Sequence, residues 1–286
     1  MQFVVKNESY CKTVDIIVNL IGKDVDCSII VRKDQVFVEA SRDEAWIRVL
    51  LDTESVQGEG EIFTKIEYLK MIKPGRSATL SMSFEGNNNI AVKWGRARGA
   101  IRLIEEDDAI VSKPEIPVKI SASIPAKVVR FGTIATAFRP LLDSSQPNAI
   151  IAVDKEEFNI SSYDSYIGTH YSTKNEAIKV KEHFDLLVDM EYWRLLVNKI
   201  EPEGNVRLGA DENSFRVKTD KFDLYHAVIQ EDTQDVKEVI TTLRAEGGSR
   251  AVIEFDGNAV TEAIDATKGI IRAADKEESC FYITLK

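Results

Sequence analysis

Two basic side chains occupy the same place in a repeated string of four residues. Glu67–Lys70 (Glu-Tyr-Leu-Lys) returns as Glu191–Arg194 (Glu-Tyr-Trp-Arg), 124 residues further along the chain. On an ideal helix Lys70 and Arg194 lie on the polar face, away from the apolar residues of the same segment. Cations in this position can neutralise phosphate groups, although Lys and Arg on polar helix faces more often serve solvation alone.

Other basic residues lie on the same predicted helices or close to their ends. With Lys70 and Arg194, the candidates for phosphate contact are Lys12, Lys23, Lys65, Lys73, Arg76, Arg139, Lys199, Lys268 and Arg272. Three acidic residues on these helices, Asp15, Glu67 and Asp265, reduce any positive charge that the set presents.

The sequence has no pattern that indicates catalysis. It contains no glycine-rich phosphate loop, and no HExxH, GxSxG or GxGxxG motif. His170, His183 and His226 are scattered, without the spacing of metal ligands. We therefore predict no catalytic residue, no metal site and no cofactor. An enzyme stays open as a rival class, and it would need a pocket with converging polar groups.

Composition favours a globular protein of the cytoplasm. The 286 residues carry a net charge of −10, from 37 basic and 47 acidic side chains, which disfavours strong non-specific binding to nucleic acid. Hydrophobic residues make up 44% of the chain, enough for a core in each of two or three domains. The three cysteines have no paired spacing and predict buried thiols in a reducing compartment. We find neither a signal peptide nor an apolar run of membrane-spanning length, so no membrane partner is expected.

A long internal repeat organises the chain. Besides the helical string, Val92-Lys93 returns as Val217-Lys218, and Val31 and Lys33 return as Val153 and Lys155. A period of this length indicates copies of a whole small domain. We predict domain 1 at residues 1–112, a linker at 113–126, domain 2 at 127–231, a linker helix at 232–249, and a partial third domain at 250–286.

Hydrophobic periodicity predicts an α+β fold in each copy, with the order β-α-β-β-β-α-β-β-β and mostly antiparallel sheets. In domain 1 we expect a helix from Glu8 to Ile21, with Asn7 as its N-cap and Gly22 as its stop, and a second helix at 65–73. In domain 2 we expect a short helix near 136–142 after a segment at 127–131, and a second helix at 191–200. The third copy shows only a first β-α-β, so either its neighbours complete it or the chain ends early.

This order of elements and several short strings resemble the bacterial β-type sliding clamps of DNA replication. Val92–Arg98, followed by Ile101 and Leu103, is similar to a strand late in the first domain of that family, and Ala40–Glu44 resembles one of its turns. The resemblance extends over both complete copies and the opening of the third.

The resemblance implies a ring of six domains around duplex DNA, with helices lining the hole and sheets outside. The implied function is that of a processivity factor without enzymatic activity, which tethers the replicative DNA polymerase. Its implied partners are duplex DNA bound without sequence specificity, the polymerase, a clamp-loader ATPase, and further copies of the chain in a dimeric or trimeric ring. The setting would be a bacterial or bacteriophage-infected cell. The alternative is a clamp-fold interaction protein that forms no ring, such as a recruiting or inhibitory module or a transcription co-activator.

The family's client peptides bind an apolar groove near the junction of its second and third domains. The matching segment here is Asp164–Gly168, which lacks the Gly, His and Arg of the family pattern. Tyr166 and Ile167 are the candidates for lining such a groove, and a core or surface role is equally open.

Overall fold

Within the residues that the structure describes, short amphipathic strands alternate with four α-helices. The computed structural model describes residues 1–73, 77–84, 86, 88–114, 118–137, 147–163 and 168–229. They all lie in one compact unit, Met1–Asp232. The elements of the first half are β1 (Gln2–Lys6), α1 (Asn7–Leu20), β2 (Asp26–Arg32), β3 (Gln35–Arg42), β4 (Ala45–Leu51), β5 (Thr53–Gln57), β6 (Gly60–Lys65), α2 (Ile66–Met71), β7 (Thr79–Ser83), β8 (Asn89–Trp94) and β9 (Ala97–Arg102). Those of the second half are β10 (Ala122–Pro125), α3 (Ala126–Thr136), β11 (Asn148–Asp154), β12 (Glu157–Tyr163), β13 (Gly168–Lys174), β14 (Lys179–Val180), β15 (Phe184–Asp189), α4 (Met190–Lys199), β16 (Asn205–Ala210), β17 (Ser214–Lys218) and β18 (Phe222–Ala227).

The two halves have the same order of elements, and we call them the first repeat (β1 to β9) and the second repeat (β10 to β18). All pairs of neighbouring strands in the described sheets are antiparallel. The predicted α+β class is therefore confirmed. Each repeat has five strands between its helices, where the sequence predicted three. In the first repeat the missed strands are β5 and β6. β5 has one apolar residue, Val56, because a strand at a sheet edge needs little burial.

The repeat extends to individual backbone angles. Lys33 and Lys155 lie 122 residues apart, in the β2–β3 and β11–β12 turns, with φ of 51° and 49°. Positive φ is uncommon for lysine, and it suits the turns that connect closely paired antiparallel strands. The same turn geometry has therefore been kept in both copies.

The first helix of each repeat, α1 and α3, differs from its prediction in one respect. Asn7 is the first residue of α1 and does not cap it; its side-chain amide donates to the carbonyl of Ser77 at 2.9 Å. Gly22 ends α1 as predicted, with a φ of 132°. In the second repeat the helix is Ala126–Thr136, and the predicted lead-in at 127–131 lies inside it. Residues 138–142 of the helix predicted near 136–142 lie outside the described residues.

The second-repeat helix was misplaced because its sequence lacks clear helical signals. Val128 and Val129 are β-branched, which favours strands, and Gly132 is unfavourable inside a helix. Tertiary packing requires that glycine, since a Cβ there would lie 2.8 Å from the Tyr171 ring. The strand β10 (Ala122–Pro125) precedes the helix and lies within the predicted linker at 113–126.

A nine-stranded sheet connects the two repeats, in the order β14-β10-β16-β17-β18-β4-β3-β2-β6. The join is the antiparallel pair of β18 and β4, in which Asp223 is opposite Arg48 and Leu224 is opposite Ile47. The other sheets have the orders β5-β1-β7-β8-β9 and β13-β12-β11-β15. Among the described strands, β9 and β13 end their sheets, although their counterparts in the other repeat, β18 and β4, pair with each other.

Candidate nucleic-acid interface

The four helices form a continuous series, α2-α1-α4-α3, which we call the helix row. Tyr10 of α1 donates its hydroxyl to the carbonyl of Leu69 in α2 at 2.6 Å. Trp193 of α4 donates its indole N–H to the Thr133 hydroxyl of α3 at 2.9 Å. Between the repeats, Lys199 of α4 forms an ion pair with Asp15 of α1. The helix row therefore crosses the same junction as the nine-stranded sheet.

The helices and the inter-repeat linker lie on opposite faces of that sheet. Side chains alternate between faces along a strand, so Val38 and Ile47 pack in the core with α1, while their neighbours face the other way. On the far face Trp46, Val118 of the linker and Tyr225 form a separate apolar cluster. The described helices, which carry most of the described basic candidates, thus lie on the face opposite the linker.

Five of the predicted candidates are exposed on or beside the helix row and have no ion pair among the described residues: Lys23, Lys65, Lys70, Lys73 and Arg194. Lys70 and Arg194 hold equivalent positions in α2 and α4, as their repeated string predicted. Lys12 is also exposed on α1, with its ammonium 3.0 Å from Glu8. The hydrogen bond to Glu8 raises the pKa of Lys12.

Lys199 is placed differently from the other candidates. Its side chain is 20% exposed and paired with Asp15, so the charge that it offers to a ligand is already balanced. Arg76, Arg139, Lys268 and Arg272 lie outside the described residues, as do Tyr166 and Ile167 of the candidate groove.

Two cations of α3 were missed by the sequence analysis because this helix was misplaced. Lys127 is exposed, and Arg130 is half-buried and donates to the carbonyl of Ile200, beyond the end of α4, at 2.5 Å. Their spacing of three residues on one helix would have been the signal. Arg130 satisfies a carbonyl at a helix C-terminus, where cations are favoured.

A cavity of about 480 Å³ lies at the junction of the repeats, between α1 and the end of α4. It is lined by Lys12, Asp15, Asp52, Arg130 and Lys221, among others. The Lys221 ammonium is 2.5 Å from the Asp52 carboxylate. Lys199 pairs with Asp15, and Lys221 with Asp52, across the junction. These two ion pairs join the repeats and leave the cavity lining nearly balanced, with five basic and four acidic side chains.

Ion pairs and hydrogen bonds of buried charged side chains attach the linker to the face of the sheet opposite the helices. Glu39 of β3 is fully buried and bonds to Arg48 of β4, and the Lys113 ammonium is 3.4 Å from its second oxygen. Arg216 donates to the carbonyl of Val118 at 3.2 Å and to both oxygens of Asp223. The bond to Asp223 raises the pKa of Arg216. These contacts hold the two repeats in one arrangement.

In the part of the chain that the structure describes, no three His, Cys, Asp or Glu side chains converge in a way that could hold a metal ion. None of the described helices has the length and apolarity to cross a membrane.

Comparison with known proteins identifies the fold. No protein-family model matches the sequence, and a search of curated proteins finds no match. Solved structures do match: the β subunit from DNA polymerase of Streptococcus pyogenes superimposes with a TM-score of 0.70 at 12% identity, over 96% of this chain and 75% of that one. The β subunit of Thermotoga maritima gives 0.65 at 14% identity, over 84% and 67%. The Helicobacter pylori β clamp bound to a DNA ligase peptide gives 0.62 at 12%, over 84% and 69%.

The resemblance seen in the sequence is thereby confirmed at the level of the fold. Two copies of one α+β domain, joined through a shared sheet and a shared helix row, give this chain the fold of the bacterial β sliding clamps.

Proposed function

We propose that the protein is a DNA sliding clamp, which encircles duplex DNA and tethers a DNA polymerase as a processivity factor. The observation that carries this proposal is the junction of the repeats, where the β4–β18 sheet and the α1–α4 helix contact continue together. Repeating that junction would place every sheet on one side and every helix on the other, and the proposal is that the rotation at each junction closes the series into a ring.

The charges of the helix row suit a ring that slides. Lys70 and Arg194 are exposed at equivalent positions, so each repeat would present the same sparse positive charge to the DNA backbone. Every neutralised phosphate adds affinity that depends on salt, and a clamp with many such contacts would stop moving. Contacts to phosphate carry no sequence information, as sequence-independent movement requires.

Tethering requires partners, and the proposal includes them. A polymerase bound to the ring would rebind DNA at high effective concentration. The H. pylori clamp structure contains a DNA ligase peptide, and we propose a peptide groove of the same kind here, with Tyr166 and Ile167 in its wall. A clamp-loader ATPase would open the ring, and the protein would act in the cytoplasm of a bacterial or phage-infected cell.

The test is whether the link to DNA is topological. The protein is loaded onto nicked circular DNA with a clamp loader, isolated by gel filtration, and the DNA is then cut once by a restriction enzyme. We expect the protein to stay on the circle in high salt and to be lost from the linear product. The same DNA with blocked ends is the control, and it should retain the protein. Equal retention on open linear and circular DNA would contradict the proposal.

A further inference from the structure

An apolar cleft lies just beyond the end of β9, where the chain leaves the first repeat. It has a volume of about 210 Å³, and its apolar lining includes Phe63, Phe84, Leu103 and Ile104. All four side chains are half-buried, so each keeps apolar surface in contact with water. A ligand that covered this surface would gain free energy from its burial.

Backbone hydrogen bonds fix the cleft. The amide of Ile104 donates to the carbonyl of Phe63 in β6 at 2.9 Å. The amide of Leu103 donates to the carbonyl of Asn88, in the β7–β8 turn, at 3.0 Å. Residues 103–104 are therefore held between β6 and that turn, and the cleft is formed before any ligand arrives.

Four consecutive acidic residues follow the cleft, Glu105–Asp108, which we call the acidic turn. All four are exposed, and none forms an ion pair with another residue that the structure describes. After the acidic turn, the amide of Ile110 donates to the carboxylate of Asp26 in β2 at 3.1 Å, and the Ile110 side chain is 73% exposed. The acidic turn is thus held between the cleft and an exposed isoleucine.

The second repeat has the same backbone bonds. The amide of Ile229 donates to the carbonyl of Leu187, and the amide of Val228 to the carbonyl of Asn213, both at 3.0 Å. These four residues follow their counterparts in the first repeat by 124 or 125 positions. The path of the backbone at the end of the repeat is therefore a property of the fold.

The side chains around this path are not repeated. Phe63 corresponds to Leu187, which is 3% exposed, and Phe84 corresponds to Ala210 at the end of β16. The acidic turn corresponds to Gln230–Thr233, which has two acidic residues in place of four. The fold thus requires neither the two aromatic rings nor the full set of carboxylates, and their presence in the first repeat indicates a separate role.

The Phe63 side chain lies on the same face of the nine-stranded sheet as the linker. Phe63 is opposite Ser28 of β2, and Ser28 is opposite Glu39 of β3. Side chains directly opposite one another on neighbouring strands share a face, and Glu39 is paired with Lys113 of the linker. A ligand of the cleft would therefore leave the helix row uncovered.

The charge beside the cleft selects the class of ligand. Unpaired carboxylates repel phosphate groups and attract lysine and arginine side chains, which disfavours nucleic acid and favours a basic protein segment. Single exposed ion pairs add little free energy, whereas apolar side chains that enter a preformed cleft can add most of it. The matching ligand therefore combines basic and apolar side chains.

We propose that Phe63, Phe84 and Leu103, the acidic turn and Ile110 form a docking surface for another protein, through a segment in which apolar side chains flank at least two lysines or arginines. The apolar side chains enter the cleft and cover Ile110, and the basic ones pair with the acidic turn. This surface is separate from the peptide groove proposed in the second repeat. It does not depend on the clamp function, since every residue that forms it belongs to one repeat of one chain.

Peptide selection tests the class of ligand. A library of random twelve-residue peptides displayed on phage is selected on the immobilised full chain, and the enriched peptides are synthesised with a fluorescent label. We expect them to carry two or more lysines or arginines next to apolar residues. Their Kd, measured by fluorescence anisotropy, should rise several-fold between about 50 and about 300 mM salt. Enrichment of acidic or uncharged peptides, or of none, would overturn the inference.

Charge reversal tests the acidic turn. Glu106→Lys with Asp107→Lys should weaken binding of an enriched peptide by about tenfold or more. The same peptide with its basic residues replaced by glutamate should bind this variant more tightly than it binds the parent. Glu156→Lys with Glu176→Lys, at exposed positions of the second repeat, is the matched control and should keep the Kd within about twofold. Equal weakening in both would show attraction by net charge alone and reject the docking surface.

Two further variants test the apolar contacts. Phe63→Leu introduces the residue of the second repeat, and Ile110→Ser removes an apolar side chain that is 73% exposed. Each should raise the Kd by about three- to tenfold, with thermal unfolding as the check that both remain folded. An unchanged Kd in both variants would contradict the proposal. Because the peptide assay contains no DNA, loss of retention on circular DNA would reject the clamp and leave this outcome unaffected.

Discussion

Asp15 of α1 and Lys199 of α4 form an ion pair that joins the helical faces of the two repeats. The lysine is 20% exposed and its partner 58% exposed, so the pair lies at the surface of the junction. It fixes the helix row, and it removes one cation from those available to DNA.

Asp15→Asn should therefore strengthen DNA binding. The substitution frees the Lys199 ammonium for one more phosphate contact, which steepens the dependence of log K on log salt by about 0.9. Losing a largely exposed ion pair should lower the free energy of unfolding by about 0.5 kcal/mol. Fluorescence anisotropy with duplex DNA over a salt series measures the slope. Asp43→Asn, beside Arg42 in the β3–β4 turn, is the control and should leave the slope unchanged.

Removing the repeated cations Lys70 and Arg194 should weaken DNA binding. In the Lys70→Ala, Arg194→Ala double variant we expect the salt slope to fall by about two, because each side chain would contact one phosphate. Both are exposed, so stability should stay within about 0.5 kcal/mol of the parent. Lys179→Ala with Lys181→Ala removes the same charge away from the helices. An equal loss of affinity in that control would show that net charge, and not the helix row, sets the binding.

Glu39→Gln should weaken the attachment of the linker to the sheet and lower the free energy of unfolding. The fully buried carboxylate bonds to Arg48, whose side chain is 35% exposed, and has Lys113 nearby. Replacing one partner of a buried charged network leaves the other charges uncompensated, and the partial exposure of Arg48 moderates the cost. We expect a loss of about 2 kcal/mol in unfolding free energy by urea denaturation. Glu44→Gln, on an exposed turn, should cost almost nothing; similar losses in both would rule out a special role for Glu39.

Gly209→Ala should be among the most damaging single changes in the second repeat. A Cβ at this position of β16 would lie 1.9 Å from the carbonyl oxygen of Lys119, so the backbone at 119–120 must move. That shift strains the bond from the Ser121 N–H to the carbonyl of Leu208, which is 2.8 Å long. We expect a loss of about 3 kcal/mol by urea denaturation. Gly99→Ala is the comparison, since its Cβ would meet only the Trp94 ring at 3.3 Å; equal effects would contradict the steric explanation.

Alkaline pH should destabilise the folded protein. Burial raises the pKa of Tyr225 to about 12 from 10.0, and it also raises the pKa of Tyr10, Tyr192 and Cys27. In the unfolded chain the thiol ionises near 9.0 and the phenols near 10.0. The unfolded state therefore loses these protons first, so the free energy of unfolding is constant below these values and falls as pH rises through them. Urea denaturation at pH 7 and about pH 10.5 measures the loss, and Tyr225→Phe should reduce it.

Much of the fold was predictable because the same order of elements occurs twice in the chain. The repeated string at Glu67–Lys70 and Glu191–Arg194 located both second helices, and the strands on either side of the Lys33 and Lys155 turns were predicted from their alternation. The prediction failed where the local sequence and the tertiary packing favour different secondary structures. In α3, Val128, Val129 and Gly132 do not favour a helix, and the helix is stabilised by packing on β12 and β13.

The candidate interface could be predicted only in part. That Lys70 and Arg194 are equivalent follows from the sequence, because an identical spacing within a repeat puts both on the same face of their helices. That Lys199 is neutralised does not follow, since its partner Asp15 is 184 residues away.

The sequence by itself determined that the protein is built from copies of one α+β domain, since periodicity and repetition are properties of the linear chain. Tertiary structure alone decided how the copies join. Whether β4 meets β18, and whether a basic side chain is free or paired, depends on contacts between residues far apart in the chain, which local patterns do not encode.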